Sequence, residues 1–244
     1  MAAGAERMSR RIGWNSHNRP MAKRPQVIAF DVIETLFSLE PVRQRLIAAG
    51  QPGHVLDVWF PALLRDAFAL TATGGYRPFA DIAAGTLRSA TGNALDGEAV
   101  RTVLAGFGEL DPHPDVEPAI RLAREAGTRV VTLTNGPALN TGTLLQRAGV
   151  ADDVEQVLSV DDVQQWKPAP EIYRHAAYSA DVPPERVALV AAHAWDTHGA
   201  GQAGLTTGWV TRQDGRFPEF FRSPDVVGSD LVGVVRGLLD LPAE

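Results

Sequence analysis

Apolar residues along the chain alternate between two patterns, and the change from one to the other organises it. Val27-Ile28-Ala29-Phe30 is a continuous apolar run that stops on Asp31, with Thr35 four residues on. A short unbroken run of this kind predicts a strand buried on both faces, as in a parallel sheet. Apolar positions then recur at helical spacing. Pro41 opens a helix over 42–49 that Gly50 ends. In 55–71, Leu56, Trp59, Leu63, Leu64, Ala67, Phe68 and Leu70 repeat at three and four. Gly74-Gly75 breaks that helix, and two more are predicted over 79–91 and 96–108. From Val116 onward strands and helices alternate. The pattern gives helices at 116–126, 139–148 and 170–179, and one beginning at Thr197 and running to Ala203. It gives strands at 129–133, 154–159, 187–192 and 207–211, the last of these read as the final strand. Alternation at this spacing implies an α/β fold, a doubly wound parallel sheet of Rossmann-like type with helices on both faces. Its crossovers should be right-handed. Residues 25–37 and 113–244 form the α/β core on this reading, and 38–112 form a helical cap inserted after the first strand.

Composition narrows the possibilities. The chain has 244 residues, 45% of them hydrophobic, enough for a substantial core, and a formal net charge of −6. No basic surface dominates, so nucleic acid is not expected as a partner. There is no cysteine, which removes disulfides and thiolate metal sites. No apolar run approaches the ~18–20 residues that span a bilayer, and a cytoplasmic protein is expected. Residues 1–24 carry six basic side chains against the single acid Glu6, with no apolar segment behind them. They read as a disordered basic tail rather than a secretory signal, and Met21 offers a second start.

Four clusters fall at predicted strand ends or in the loops that follow: Asp31 with Thr35, Thr134-Asn135-Gly136, Lys167-Pro168, and His193-Ala194-Trp195-Asp196. Each alone has an ordinary explanation. An aspartate at a strand end often caps a helix, and Thr-Asn-Gly often makes a turn. Together they differ, because parallel strands bring their carboxyl ends to one edge, where such sheets hold their ligands. Position 33, two after Asp31, is isoleucine and can neither give nor take a proton. A carboxylate nucleophile with no acid beside it suits a leaving group that needs no proton, such as a halide.

This ordered set resembles the haloacid dehalogenase superfamily over residues 26 to about 238, and within it the 2-haloacid dehalogenases. Thr134-Asn135-Gly136 is similar to their Ser-Asn-Gly. Lys167-Pro168 with Tyr173 six residues after the lysine matches their third motif. His193-Ala194-Trp195-Asp196, followed by Gly199-Ala200, stands where they have Asn-Ala-Trp-Asp and Thr-Gly-Ala. The resemblance implies that Asp31 attacks the carbon bearing the halide and forms an ester, which water then hydrolyses. Lys167 would keep Asp31 ionised, and Asp196 would position or activate the water. Thr35, Thr134 and Asn135 would hold the carboxylate of a small 2-halo acid, with Ile33, Phe60, Tyr173 and His193 around it. No cofactor and no metal are implied. Ile33 replaces the general acid of the phosphatase branch, and Ala191 stands where those enzymes usually keep another aspartate. Relatives often pair through the cap, so a homodimer is expected.

Three departures bear on the substrate. Glu34 stands where the family usually has glycine. Phe60 falls where the haloacid enzymes carry a halide-binding arginine, which Arg65 or His54 would have to replace. His193 takes the place of asparagine, and a protonated histidine can donate to an anion. The alternatives are a small-molecule phosphatase of the same superfamily and a catalytically silent relative that binds a small acid or a protein.

Overall fold

The computed structural model describes residues 22–213 and 215–243. Most of the expected disordered tail therefore lies outside the described residues. Arg24, at its end, donates its backbone N–H to Pro242 O at 2.7 Å.

The apolar run that opens the pattern is β1, Val27–Phe30, whose four side chains are all inaccessible to solvent. The chain then makes the two-residue strand β2 (Phe37–Ser38) and four helices: α1 (Glu40–Ala48), α2 (Val55–Ala72), α3 (Phe79–Ala90) and α4 (Gly97–Ala105). It returns through β3 (Asp111–Pro112) and alternates thereafter: α5 (Val116–Glu125), β4 (Arg129–Thr134), α6 (Ala138–Arg147), β5 (Gln156–Ser159), α7 (Pro170–Ser179), β6 (Val187–Ala191), α8 (Ala194–Gln202), β7 (Thr206–Val210), β8 (Val226–Gly228) and α9 (Leu231–Leu239).

Six strands form one sheet in the order β5-β4-β1-β6-β7-β8, and every neighbouring pair is parallel. β1 is the strand from which the order runs outward in both directions, through β4 on one side and β6 on the other. That makes its carboxyl end the topological switch point, where a crevice opens between diverging connections. Asp31 is the first residue beyond it. Helices α5 and α9 pack together against the sheet, and α7 packs on α8, which lies on β6 and β7. The helical cap holds its own core around Trp59, which is fully buried and donates its indole N–H to Ala83 O and Thr86 Oγ1 at 3.1 and 3.0 Å. Phe79 of the cap stacks on Trp166 of the core, ring centres 6.0 Å apart.

The differences from the pattern reading have local causes. Strand 207–211 is not the last, because the short β8 extends the sheet and α9 follows it. Asp230 caps α9, accepting from Gly233 N at 2.7 Å. The helix expected over 96–108 ends at Ala105, and Gly106–Gly108 tighten into a 3₁₀ turn. Helix α8 begins three residues earlier than expected, because His193 is extended and the chain turns into helix directly after it. β2 and β3 pair antiparallel where the chain leaves and re-enters the core. Two residues each are too few to show a period. Among the described residues no helix is long and apolar enough to cross a membrane.

Candidate active site

Four loops meet beyond the carboxyl ends of β1, β4, β5 and β6. Asp31 follows β1, Thr134 ends β4, Lys167 lies between β5 and α7, and His193 and Asp196 sit at the start of α8. Lys167 is fully buried, and its ammonium lies between two carboxylates, 2.9 Å from Asp31 Oδ1 and 2.8 Å from Asp196 Oδ2. An uncompensated ammonium is very costly to bury, so this placement requires at least one of the two carboxylates to be ionised. Thr35 Oγ1 donates to Asp31 Oδ2 at 2.7 Å and accepts from the backbone N–H of Ala192 at 2.9 Å. Tyr173 donates to Asp196 Oδ1 at 2.6 Å. Gly199 permits that contact: a Cβ there would lie 2.6 Å from Pro168 Cβ and 2.8 Å from the Tyr173 hydroxyl.

These contacts push the two carboxylates apart. Burial alone would raise Asp31, but the charge of Lys167, with His193 and Thr35 behind it, holds its carboxyl well below the usual range. Asp196 goes the other way. Burial raises it, and the neighbouring charge of Asp31 adds to that, against the pull of Lys167 and the Tyr173 hydrogen bond. One carboxylate is thus held ionised and the other made more basic. Burial, then the charge and hydrogen bond of Asp196, hold the Tyr173 phenol well above its ordinary value, so it stays a donor.

Asp31 opens onto a narrow pocket walled by Ile33, Phe60, Leu64, Phe79 and Trp195, with Thr134, Asn135 and His193 as its polar members. Outside it lies a cleft of about 500 Å³, to which Glu34, Arg43, Phe60, His113, His193, Trp195 and Gln213 contribute. Asn135 Oδ1 accepts from the Lys167 backbone N–H at 3.2 Å, and Thr134 Oγ1 accepts from Gly136 N at 2.9 Å.

The structure redistributes several expected positions. Thr35 does not face the pocket, because its hydroxyl is committed to Asp31 and Ala192. Tyr173 lines neither cavity and buttresses Asp196 from behind. Arg65 does not replace the absent arginine, since it points to solvent and pairs with Asp66. His54 precedes α2 on the exposed surface. His198 accepts from the Arg222 backbone at 3.0 Å and stacks on Phe221, away from Asp31. Trp166 is core, whereas Trp195 walls the pocket.

The departures Glu34 and His193 turn out to be partners. His193 Nε2 lies 2.9 Å from Glu34 Oε2, and Nδ1 faces Asp31 Oδ2 at 3.5 Å. Glu34 adopts the left-handed conformation, φ 66°, which normally favours glycine, and its other oxygen accepts from Gln213. Gln213 was not foreseen. The available signal was its position just beyond the carboxyl end of β7, on the same sheet edge as the rest.

Comparison with known proteins agrees with this geometry. Residues 25–204 match the family model of haloacid dehalogenase-like hydrolases. An (S)-2-haloacid dehalogenase of Pseudomonas putida is 26% identical over 223 residues, covering 89% of this chain and 98% of that protein. One from Pseudomonas sp. strain YL is 28% identical over 213 residues, covering 85% and 92%. The crystal structure of the L-2-haloacid dehalogenase RSc1362 superposes with a TM-score of 0.82 at 27% identity, covering 89% of this chain and 99% of that one. With the strand order, the Asp31–Lys167–Asp196 triad and the family match over residues 25–204 in agreement, this chain belongs to the haloacid dehalogenase-like hydrolases, with its likeness in the 2-haloacid dehalogenase branch.

Proposed function

We propose that this hydrolase removes halide from a small 2-halo carboxylic acid without a metal, by way of an ester on Asp31. The observation that carries the reading is the state of Asp31. It is a buried carboxylate, held ionised by Lys167, at the base of a pocket with largely apolar walls and with Ile33 beside it in place of a proton donor. An anionic oxygen in such surroundings is a nucleophile toward saturated carbon, and a departing halide needs no proton. The curated relatives named above act on 2-halo acids, which supports the same substrate class.

Thr134 and Asn135 are neighbouring polar groups on the inner wall, and we assign them to the substrate carboxylate. Phe60 packs against the apolar part of the substrate. Asp196, made more basic by burial, takes a proton from the hydrolytic water. The donor set argues against a resident divalent cation. Ile33 and Ala191 offer no oxygen where hard ligands would be needed, and the Lys167 ammonium already bridges the two carboxylates such an ion would join. Ile47 and Val58, 48% and 61% exposed on α1 and α2, form a candidate contact for a homodimer.

The test is halide release from 2-chloro-, 2-bromo- and fluoro-acids with EDTA present, beside an Asp31→Asn control. Release that survives EDTA and disappears in the control supports the proposal. Silence toward every acid, with phosphate ester hydrolysis that depends on Mg²⁺, would replace it with the phosphatase reading.

A further inference from the structure

The roles above leave His193 unused, although it is built into the site more firmly than binding alone requires. Its Nε2 is fixed 2.9 Å from Glu34, which is itself anchored by Gln213 and by a backbone conformation unusual for a glutamate. Its ring lies 5.2 Å from that of Trp195. Its Nδ1 is buried and, among the described residues, makes no full hydrogen bond; the acceptor it faces, Asp31 Oδ2, is 3.5 Å away. A buried polar atom without a partner is costly unless a later state of the reaction supplies one.

The two oxygens of Asp31 are not equivalent. Oδ2 already receives the Thr35 hydroxyl at 2.7 Å and faces His193, whereas Oδ1, among the described residues, meets only Lys167. With Thr35 and His193 both facing Oδ2 and Lys167 alone on Oδ1, Oδ1 keeps a lone pair free to attack. On the proposed function, on which this inference rests, Oδ1 then displaces the halide and Oδ2 becomes the ester carbonyl oxygen. We propose that His193, oriented by Glu34, and Thr35 form the oxyanion hole for hydrolysis of that ester. His193 is then a catalytic residue of the second half-reaction, and Glu34 a positioning residue acting through it.

The step balances. Water adds to Cγ of Asp31 and loses one proton to Asp196, and the carbonyl pair moves onto Oδ2, where Thr35 and His193 Nδ1–H receive it. On collapse the pair returns, and the Cγ–Oδ1 bond breaks. Oδ1 leaves in the 2-hydroxy acid with a proton from Lys167, which Lys167 recovers from Asp196, 2.8 Å away. The remaining proton of the water leaves as Asp31 regains its ionised form. Donors preset at the atom where charge develops are the most effective electrostatic device an active site has, and such contacts are often long before the charge arrives. The charged form of His193 is supported by its surroundings. Burial opposes it, but Asp31 and Glu34 outweigh burial and hold its pKa up to about 10.

The experiment compares wild type, H193A, H193N and E34Q by rapid quench with 2-bromopropionate, following bromide release and the intact mass of the protein. H193A is expected to release about one equivalent of bromide quickly and then to turn over about 100-fold more slowly. It should carry the alkyl ester on the peptide containing Asp31, which wild type does not accumulate. E34Q should behave likewise to a smaller degree, and H193N, which keeps an N–H donor, should recover part of the rate. A slowed first bromide release with no ester would overturn the inference, since His193 would then act in displacement. Wild-type turnover in a folded H193A and H193N would overturn it also. If wild type itself releases no halide and carries no ester, the haloacid reading fails, and this inference falls with it.

Discussion

Lys167→Met removes the one cation shared by Asp31 and Asp196 while nearly preserving side-chain volume. Lys167 and Asp196 are inaccessible to solvent, and the Asp31 side chain is 8% exposed. The variant therefore leaves Asp196 buried without a counter-charge and Asp31 with His193 alone beside it, 3.5 Å away. Breaking a buried pair by deleting one partner costs about 3–5 kcal/mol. With a urea slope of about 2–3 kcal/mol/M, the unfolding midpoint should fall by about 1–2.5 M. The pH dependence fixes the cause. In wild type, Asp31 is held below its ordinary 3.8, so its contribution is intact above that value and is lost only as pH falls through the lowered one. In the variant, burial and mutual repulsion raise the carboxylates, and acidification neutralises them. The stability gap should therefore narrow as pH falls from about 7 to about 5. Urea unfolding by circular dichroism at several pH values measures this. A loss below about 1 kcal/mol, the value of an exposed pair, or a gap that widens on acidification, would refute the reasoning.

Three further expectations follow from single contacts. Gly199→Ala places a methyl group against Pro168 and the Tyr173 hydroxyl. It should cost about 1–3 kcal/mol and lower the melting temperature by about 2–4 °C per kcal/mol, as calorimetry would show; an unchanged melting temperature would contradict the packing argument. Glu34→Gly and Glu34→Ala both remove the carboxylate, but only glycine relieves the left-handed backbone, so the glycine variant should be the more stable by about 1 kcal/mol in denaturant unfolding. Because His193 binds its proton more tightly folded than unfolded, its stabilisation is complete below pH 6.5 and lost as pH rises through about 10; the thermal stability gap between wild type and H193Q should shrink across that window, and a constant gap would count against a charged His193.

The sheet and the positions of Asp31, Thr134, Lys167 and Asp196 were legible in the sequence because burial on both faces writes β1, β4 and β6 as apolar runs. Asp31 and Thr134 then sit where a run stops, and Lys167 and Asp196 in the segments that follow β5 and β6. β8 was not legible, since three half-exposed edge residues carry no such signature. The chemistry of the site was harder to read than its membership. Glu34 and His193 each stood out as departures, but their pairing joins residues 159 apart and exists only once β6 lies beside β1 in the sheet. Thr35 and Tyr173 were identified as site residues, yet the direction of each hydroxyl, toward a carboxylate rather than toward the pocket, depends on packing that no motif spacing encodes. The loss of an arginine at Phe60 was visible. That His193, paired with Glu34, lines the same pocket as Phe60 was not.

The central claim, that Asp31 itself takes the alkyl group, is tested most directly by single-turnover hydrolysis of 2-bromopropionate in heavy-oxygen water with enzyme in excess. The account requires an unlabelled 2-hydroxy acid in that first turnover, because its new oxygen comes from Asp31, and heavy oxygen in the carboxylate of the Asp31 peptide. Heavy oxygen in the first-turnover product with none in Asp31 would mean that water attacks the substrate directly, and would contradict the account.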